Sequence, residues 1–140
     1  MLSAGVRGTK TVTVIEELTA ARVGSGELPV YATPALIALA EECAWKSVAG
    51  ELEPGQGTVG TRMDLVHLAA TPVGMKVTCE TELTEVDRRR LVFSVRVFDE
   101  KEPVAEGTHE RFIVDNDRFL RKAAARSAVI TRIRTDRAAS

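Results

Sequence analysis

Much of the chain alternates between hydrophobic and polar residues with the period of two that is typical of β-strands. Near the N-terminus, the segment TKTVTVIEEL sets Val12 and Val14 against threonines and predicts a first strand. Further along, the same period predicts four more strands, at 58–70, 74–86, 90–99 and 104–115. Because the connections TPVG, VDRRR and EKEP are short, we expect these four strands to form successive antiparallel hairpins.

One long segment, TPALIALAEECAWKSVAG, has helical spacing instead. Thr33 is a suitable N-cap, Pro34 suits the first helical position and Gly50 suits the C-terminal cap. These signals predict a helix of about 16 residues, more than four turns at 3.6 residues each. A second helical segment, DRFLRKAAARSA, follows the last strand, whereas the last dozen residues show no clear pattern.

This order of elements predicts an α+β fold, in which one long helix packs against a five-stranded antiparallel sheet and a short C-terminal helix follows. The length of 140 residues suits one core, so we expect a single domain over 1–126 and a basic tail over 127–140. Because one helix covers only one face of the sheet, a homodimer that joins two sheets edge to edge is a reasonable consequence.

Charge and composition exclude some classes of function. The net charge of −1 gives no reason to expect nucleic acid or membrane binding, although 118–140 carries +6. The longest uninterrupted apolar run, PALIALA, is too short to span a bilayer, and no signal-peptide h-region is present. Cys43 and Cys79 lack disulfide or metal-ligand spacing, so we expect a reduced, cytoplasmic protein without a metal site.

Four blocks, YATPALIALAEECAW, LEPGQGTVGT, HLAATPVGMKVT and GTHERFIV, occur in an order that resembles the hot-dog-fold thioesterases related to fluoroacetyl-CoA thioesterase. The resemblance covers roughly residues 10–122. It implies a hot-dog fold, homodimers with acyl-CoA pockets at the subunit interface, and hydrolysis of a small or medium acyl-CoA thioester. Coenzyme A would enter as part of the substrate, and no cofactor would be needed.

The same resemblance implies roles for individual residues. It places the catalytic residues at Thr33, Glu41 and His67, and the backbone N–H that faces the thioester oxygen at Gly60. The arginine of the GTHER block falls on Arg111. The family's best-known member has aromatic residues upstream of the threonine that close over a very small acyl group. Here the stretch is GSGELPVYAT, which is one residue shorter and has Leu28 as the nearest bulky candidate. Residues expected to shape the pocket there are Leu28 and Tyr31.

Most of these residues also have a purely structural interpretation. Thr33 would be explained by capping alone, Gly60 by a bulge, and His67 by a core histidine with a backbone partner. Glu41 would be one of two solvated carboxylates beside Glu42, but its mainly apolar neighbours three and four positions away favour a base. Arg111 would pair with an acid or reach a phosphate, and His109 would pack at the surface or at an interface.

A helix imposes one geometric limit on this site. Thr33 and Glu41 are eight residues apart, or roughly 12 Å along a helix at 1.5 Å per residue, so their side chains cannot touch. We therefore expect a site assembled from both subunits of a dimer.

Two other classes of function remain open at this stage. A non-catalytic protein would use the same pocket to hold an acyl-CoA or another small apolar ligand. A hot-dog hydratase or dehydratase would need acid–base groups over the substrate carbons, and the sequence has no histidine near the long helix.

Overall fold

The computed structural model describes residues 2–139, with side chains described through residue 127. It confirms the predicted α+β architecture: a long helix lies on one face of a five-stranded antiparallel sheet. The strands are β1 (Arg7–Thr13), β2 (Gln56–His67), β3 (Lys76–Asp87), β4 (Arg90–Asp99) and β5 (Pro103–Asp115). The helices are the single turn α1 (Ala20–Val23), the long α2 (Thr33–Ala49) and the C-terminal α3 (Asn116–Ala139), and a 3₁₀ turn (Glu16–Leu18) precedes α1.

The strands are arranged in the order β1-β3-β4-β5-β2. The hairpins β3–β4 and β4–β5 are therefore confirmed, whereas the expected hairpin between β2 and β3 is wrong. After His67 the chain crosses the end of the sheet, where the Leu68 N–H donates to the Val104 carbonyl and Gly74 donates to Val14. This longer crossing carries the chain from the edge strand β2 to the neighbourhood of β1.

β2 forms one edge of the sheet. Its inner side pairs with β5 from Gln56, opposite Asp115, to His67, opposite Ala105. None of the other strands in the described chain pairs with its outer side. An edge strand of 12 residues presents a row of unpaired N–H and C=O groups, which suits pairing with another chain.

The long helix α2 packs its apolar face onto the sheet. Its buried residues are Leu36, Leu39, Ala40, Cys43, Ala44 and Val48. The approach to β1 is close, because a Cβ atom added at Gly8 would lie 2.8 Å from the Ser47 Cβ and 2.9 Å from the Cys43 carbonyl oxygen. Only glycine lets the helix approach β1 so closely at this point.

The ends of α2 match the prediction at one end only. Gly50 is the C-cap, as expected, but the N-cap is Ala32, and its side chain makes no capping hydrogen bond. The prediction that Thr33 caps the helix is therefore wrong, since Thr33 is the first residue of the helix itself. β1 is also shorter than predicted, because residues 16–18 form the 3₁₀ turn.

The predicted C-terminal helix is present and begins at Asn116. Its bounds reach Ala139, beyond the segment whose pattern indicated a helix, which agrees with the high helix propensity of its alanine and arginine residues. Residues 116–127 are all exposed, and the side chains of the rest of the expected tail lie outside the described residues. Within the part of the chain that is described, no helix has both the length and the apolar character needed to cross a membrane.

Candidate active site

The first group of site residues joins the start of α2 to the end of β2. The Thr33 Oγ1 atom lies 2.8 Å from His67 Nδ1. The Thr33 hydroxyl thus bonds the imidazole and does not cap the helix. The other ring nitrogen, His67 Nε2, is buried and has no hydrogen-bond partner in the described part of the chain. A buried imidazole nitrogen without a partner is expensive in a purely structural role, so the arrangement favours chemistry.

Beside this pair is a cavity of about 410 Å³. Small and apolar side chains make up most of its wall, which consists of Ala20, Ser25, Val30, Tyr31, Thr33, His67, Leu68, Ala69 and Ala70. The Tyr31 hydroxyl donates to the Ala35 carbonyl oxygen, and burial raises the pKa of this hydroxyl to about 12, so it remains neutral. The expected pocket residue Leu28 does not line this cavity, and 66% of it is exposed.

The second group surrounds Glu41, in the middle of α2. The Glu41 Oε2 atom lies 3.1 Å from Arg111 Nη1, and the Arg111 side chain is almost fully buried. Two further bonds fix the guanidinium, from Nε to Thr58 Oγ1 at 2.8 Å and from Nη2 to the Thr58 carbonyl oxygen at 3.1 Å. The expectation that Glu41 has mainly apolar company is therefore wrong, because its carboxylate pairs with a cation.

The buried guanidinium remains charged in this environment. Burial lowers the pKa of Arg111, and the hydrogen bond to Glu41 partly offsets this change. An arginine starts from a value so high that it stays protonated throughout the physiological range. The pair is thus a carboxylate held by a fixed positive charge. The alternative that Arg111 pairs with an acid is the one seen in this structure.

His109 belongs to the same group, although the sequence suggested surface or interface packing. It is 1% exposed, and its ring stacks on Phe93 with the centroids 6.2 Å apart. Its Nδ1 lies 2.8 Å from the Arg62 carbonyl oxygen, and its Nε2 lies 3.1 Å from Arg111 Nη1. Because a guanidinium only donates, Nε2 must accept, which assigns a neutral ring protonated at Nδ1.

Gly60 lies directly beneath the Glu41 carboxylate. A Cβ atom added there would overlap Glu41 Oε2 and would lie 3.3 Å from Arg111 Nη1. A side chain at this position would therefore displace the carboxylate, and a register shift between Gly60 and Arg62 accompanies the contact. A cavity of about 230 Å³ opens at this point, and its wall consists of Glu41, Gly60, Thr61, Arg62, Met63 and His109.

One chain does not bring the two groups together. Along β2, Gly60 and His67 are seven residues apart, or roughly 23 Å at about 3.3 Å per residue. Along α2, Thr33 and Glu41 are separated by roughly 12 Å. Among the described residues, the two cavities have no lining residue in common. The five residues therefore form two separate groups, here called half-sites, one near the middle of the edge strand and one at its C-terminal end.

Two members of the Glu41 group, Thr58 and His109, are not among the site residues predicted from the sequence. Thr58 accepts two of the Arg111 hydrogen bonds, and His109 accepts a third. The strand period carried a usable signal for His109, because residues 109 and 111 of one strand share a face. No side-chain group of three or more metal-ligating residues in the described chain is arranged to hold a metal ion.

Similarity to known proteins extends over most of the chain. Residues 14–117 match the family model described as fluoroacetyl-CoA-specific thioesterase. A fluoroacetyl-CoA thioesterase from Streptantibioticus cattleyicolor is 39% identical over 93 residues, which are 66% of this chain and 67% of the relative.

The fold is also similar to those of solved structures. A structure of a fluoroacetyl-CoA thioesterase superposes with a TM-score of 0.84 at 33% identity, and the match covers 89% of this chain and 97% of that one. A hot-dog-like protein from Thermanaerovibrio acidaminovorans has a TM-score of 0.80 at 26% identity, over 88% of this chain and 91% of its own.

Proposed function

The chain belongs to the fluoroacetyl-CoA-specific thioesterase family, and from this premise we propose that it hydrolyses a small or medium acyl-CoA thioester to the free acid and coenzyme A. The observation that carries this function is the Thr33–His67 hydrogen bond, which leaves a buried imidazole nitrogen without a partner in the described chain, beside an apolar cavity.

The size of the acyl group follows from the residues around that cavity. Fluoroacetyl-CoA is the substrate named for the relative from Streptantibioticus cattleyicolor, and it is the first compound to test. Here the segment before α2 has no aromatic residue upstream of Tyr31, and Leu28 points largely into solvent. Alanine and serine side chains line much of the cavity, which supports acceptance of acyl groups larger than fluoroacetyl.

His67 acts as the base. When its Nδ1–H donates to Thr33 Oγ1, the lone pair of Nε2 is free to take a proton from water. The resulting hydroxide attacks the thioester carbon, the C–S bond breaks, and the coenzyme A thiolate receives the proton held by His67. One water and one thioester are thereby converted into one acid and one thiol. Thr33 orients the imidazole in this scheme.

Glu41 and Gly60 act on the same water and on the thioester oxygen. The carboxylate accepts a hydrogen bond from the attacking water and holds it in position, while the hydrogen bond from Arg111 holds the carboxylate in place. The backbone N–H of Gly60 stabilises the oxyanion of the tetrahedral intermediate. This division of roles needs no metal ion and no cofactor beyond the coenzyme A of the substrate.

Both half-sites act on one substrate if two chains pair through β2. A two-fold axis close to Met63 and Asp64 would bring Gly60 of one protomer towards His67 of the other, because antiparallel pairing reverses the strand. The free outer edge of β2 supports this homodimer. Each dimer would then contain two sites, each with the Thr33–His67 pair of one protomer and the Glu41 group of its partner. We place this activity in the cytoplasm, in keeping with the two free cysteines.

Thiol release from a panel of acyl-CoAs tests this function directly. The panel includes fluoroacetyl, acetyl, medium-chain and arylacetyl groups, and the wild type is compared with Glu41→Gln and His67→Ala. We expect turnover of at least one substrate in the wild type and a loss of about 100-fold or more in each variant, because each removes an acid–base or positioning group.

Circular dichroism and thermal unfolding of the variants show whether they remain folded. Tight acyl-CoA binding without thiol release from any substrate would instead identify a non-catalytic acyl-CoA-binding protein.

A further inference from the structure

His109 is a fully buried histidine that the mechanism above does not use. It lies between two hydrogen-bond partners, the Arg62 carbonyl oxygen on β2 and Arg111 Nη1 on β5, and Phe93 of β4 covers one face of its ring. It also lines the cavity at Gly60. A histidine with both ring nitrogens bonded is rigid, so its position fixes the position of whatever it bonds.

The group that it fixes is the Arg111 guanidinium. Thr58 accepts from Nε and Nη2, which leaves Nη1 to be shared by His109 Nε2 and Glu41 Oε2, each at 3.1 Å. Without the His109 acceptor, one N–H of a nearly fully buried guanidinium would lose its partner, and the group would be free to turn towards another acceptor. The Nη1 atom that contacts Glu41 would turn with it.

We propose that His109 is a positioning residue, whose neutral imidazole orients Arg111 so that the guanidinium holds the Glu41 carboxylate over Gly60. This role rests on the proposed function of Glu41 in hydrolysis. It differs from a role in packing, because it requires a hydrogen-bond acceptor at Nε2 and not only the volume of the ring. It also requires that the ring stays unprotonated at the working pH.

The surroundings of the ring satisfy that requirement. The charged groups around it are Glu41 from α2 and Glu110 and Arg111 from β5, while β2 contributes the Arg62 carbonyl and β4 the apolar Phe93. Burial lowers the pKa of His109, and the charge of Arg111 lowers it further, against opposing effects of the Arg62 carbonyl and the two carboxylates. The ring is therefore neutral at neutral pH and able to accept.

Two variants distinguish a requirement for the hydrogen-bond acceptor at Nε2 from a requirement for the volume of the ring. His109→Gln retains an acceptor near the position of Nε2, whereas His109→Leu fills the space without one. We expect His109→Leu to lower kcat by about tenfold to a hundredfold with KM changed by less than about threefold, because a misplaced carboxylate affects the reaction more than binding. His109→Gln should recover most of this loss. Equal activity of the two variants, or a change confined to KM, would overturn the positioning role.

A spectroscopic measurement on the wild type needs neither activity nor a variant. Nitrogen-15 NMR of the labelled protein should show His109 as the neutral tautomer protonated at Nδ1, and distinct, slowly exchanging Nη signals for an immobilised Arg111. A ring protonated at Nε2 would overturn the role even if His109→Leu failed to fold. If the wild type releases no thiol from any acyl-CoA, the proposed function fails, while these signals still decide whether His109 holds Arg111.

Discussion

The Thr33 hydroxyl lies 2.8 Å from His67 Nδ1, and this hydrogen bond ties the first residue of α2 to the last residue of β2. Thr33 is well suited by its chemistry to cap a helix, yet here Ala32 holds the N-cap position without a capping bond from its side chain. The helix thus lacks a side-chain cap, and the hydroxyl orients the imidazole instead. The start of α2 therefore has the Thr33–His67 hydrogen bond but no stabilising side-chain cap.

Replacement of Thr33 separates these two roles. We expect Thr33→Ala to lower kcat by about 100-fold, because the imidazole loses the partner that orients it. The free energy of unfolding should change by less than about 0.5 kcal/mol, whereas loss of a true cap costs about 1 kcal/mol. Thr33→Ser, which keeps the hydroxyl, should retain most of the activity. Thiol-release kinetics and urea unfolding of both variants would contradict this account if Thr33→Ala were fully active but clearly less stable.

The contact between Gly60 and Glu41 gives a second prediction. Gly60→Ala adds a methyl group where Glu41 Oε2 lies, so the carboxylate must move away from Arg111. We expect kcat to fall by about 100-fold, since a displacement of about 1 Å has an effect of this size. Gly50→Ala is the matched control, because Gly50 has a helical φ of −72° and an added Cβ meets nothing within 4 Å. Gly60→Ala with wild-type kinetics would show that the carboxylate position is unimportant.

Acid should destabilise the fold through His109. Its pKa is lowered in the folded chain, mainly by burial, so between that value and the ordinary value of about 6.5 the unfolded chain binds more protons at this position. The free energy of unfolding should therefore fall as the pH drops through this window, whereas above about pH 6.5 His109 contributes no pH dependence. Chemical unfolding of the wild type and of His109→Gln over this range should show that the free energy of unfolding depends less strongly on pH in the variant. Parallel curves would be inconsistent with a buried neutral His109.

Activity should depend on pH through His67. If Nε2 takes the proton of the attacking water, protonation of the ring removes the base, and kcat/KM should fall on acidification. The measurement requires a substrate that is turned over well and the unfolding data above, so that acid inactivation is not confused with loss of structure. A flat profile would argue against a base at His67.

The faces of the elements were predictable from the sequence, but the partners of the strands were not. The period of two identifies which residues of a strand lie together, and it correctly gave five strands and one long helix. It does not say which strand lies beside which, and β2 pairs with β5 across the intervening β3 and β4. Short connections favoured a hairpin after β2, but the chain crosses the end of the sheet instead.

In the site too, the local pattern predicts residues but not the long-range contacts between them. Residue types and the family resemblance selected Thr33, Glu41, Gly60, His67 and Arg111, and the structure gathers them into two groups. The bond between Arg111 and Glu41 joins α2 to β5, a long-range contact that no local pattern encodes. The burial of His109 also depends on the packing of Phe93 and β2, so a single strand pattern left it open between surface and interface.

The central claim is that each active site combines the Thr33–His67 pair of one protomer with the Glu41 group of another. It is tested most directly by coexpressing Glu41→Gln and His67→Ala chains that carry different tags and isolating the mixed dimers. Such a dimer would contain one site with both substitutions and one site with neither. We expect each homodimer to be nearly inactive and the purified mixed dimer to recover about half of the wild-type activity per dimer.

A parallel preparation with Glu41→Gln under both tags controls for contamination by wild-type chains and for effects of the tags. If each site were formed within one chain, every site of the mixed dimer would carry one substitution, and its activity would remain as low as that of the homodimers. That result, or a wild-type protein that is monomeric in sedimentation analysis at assay concentration and yet active, would contradict the shared site.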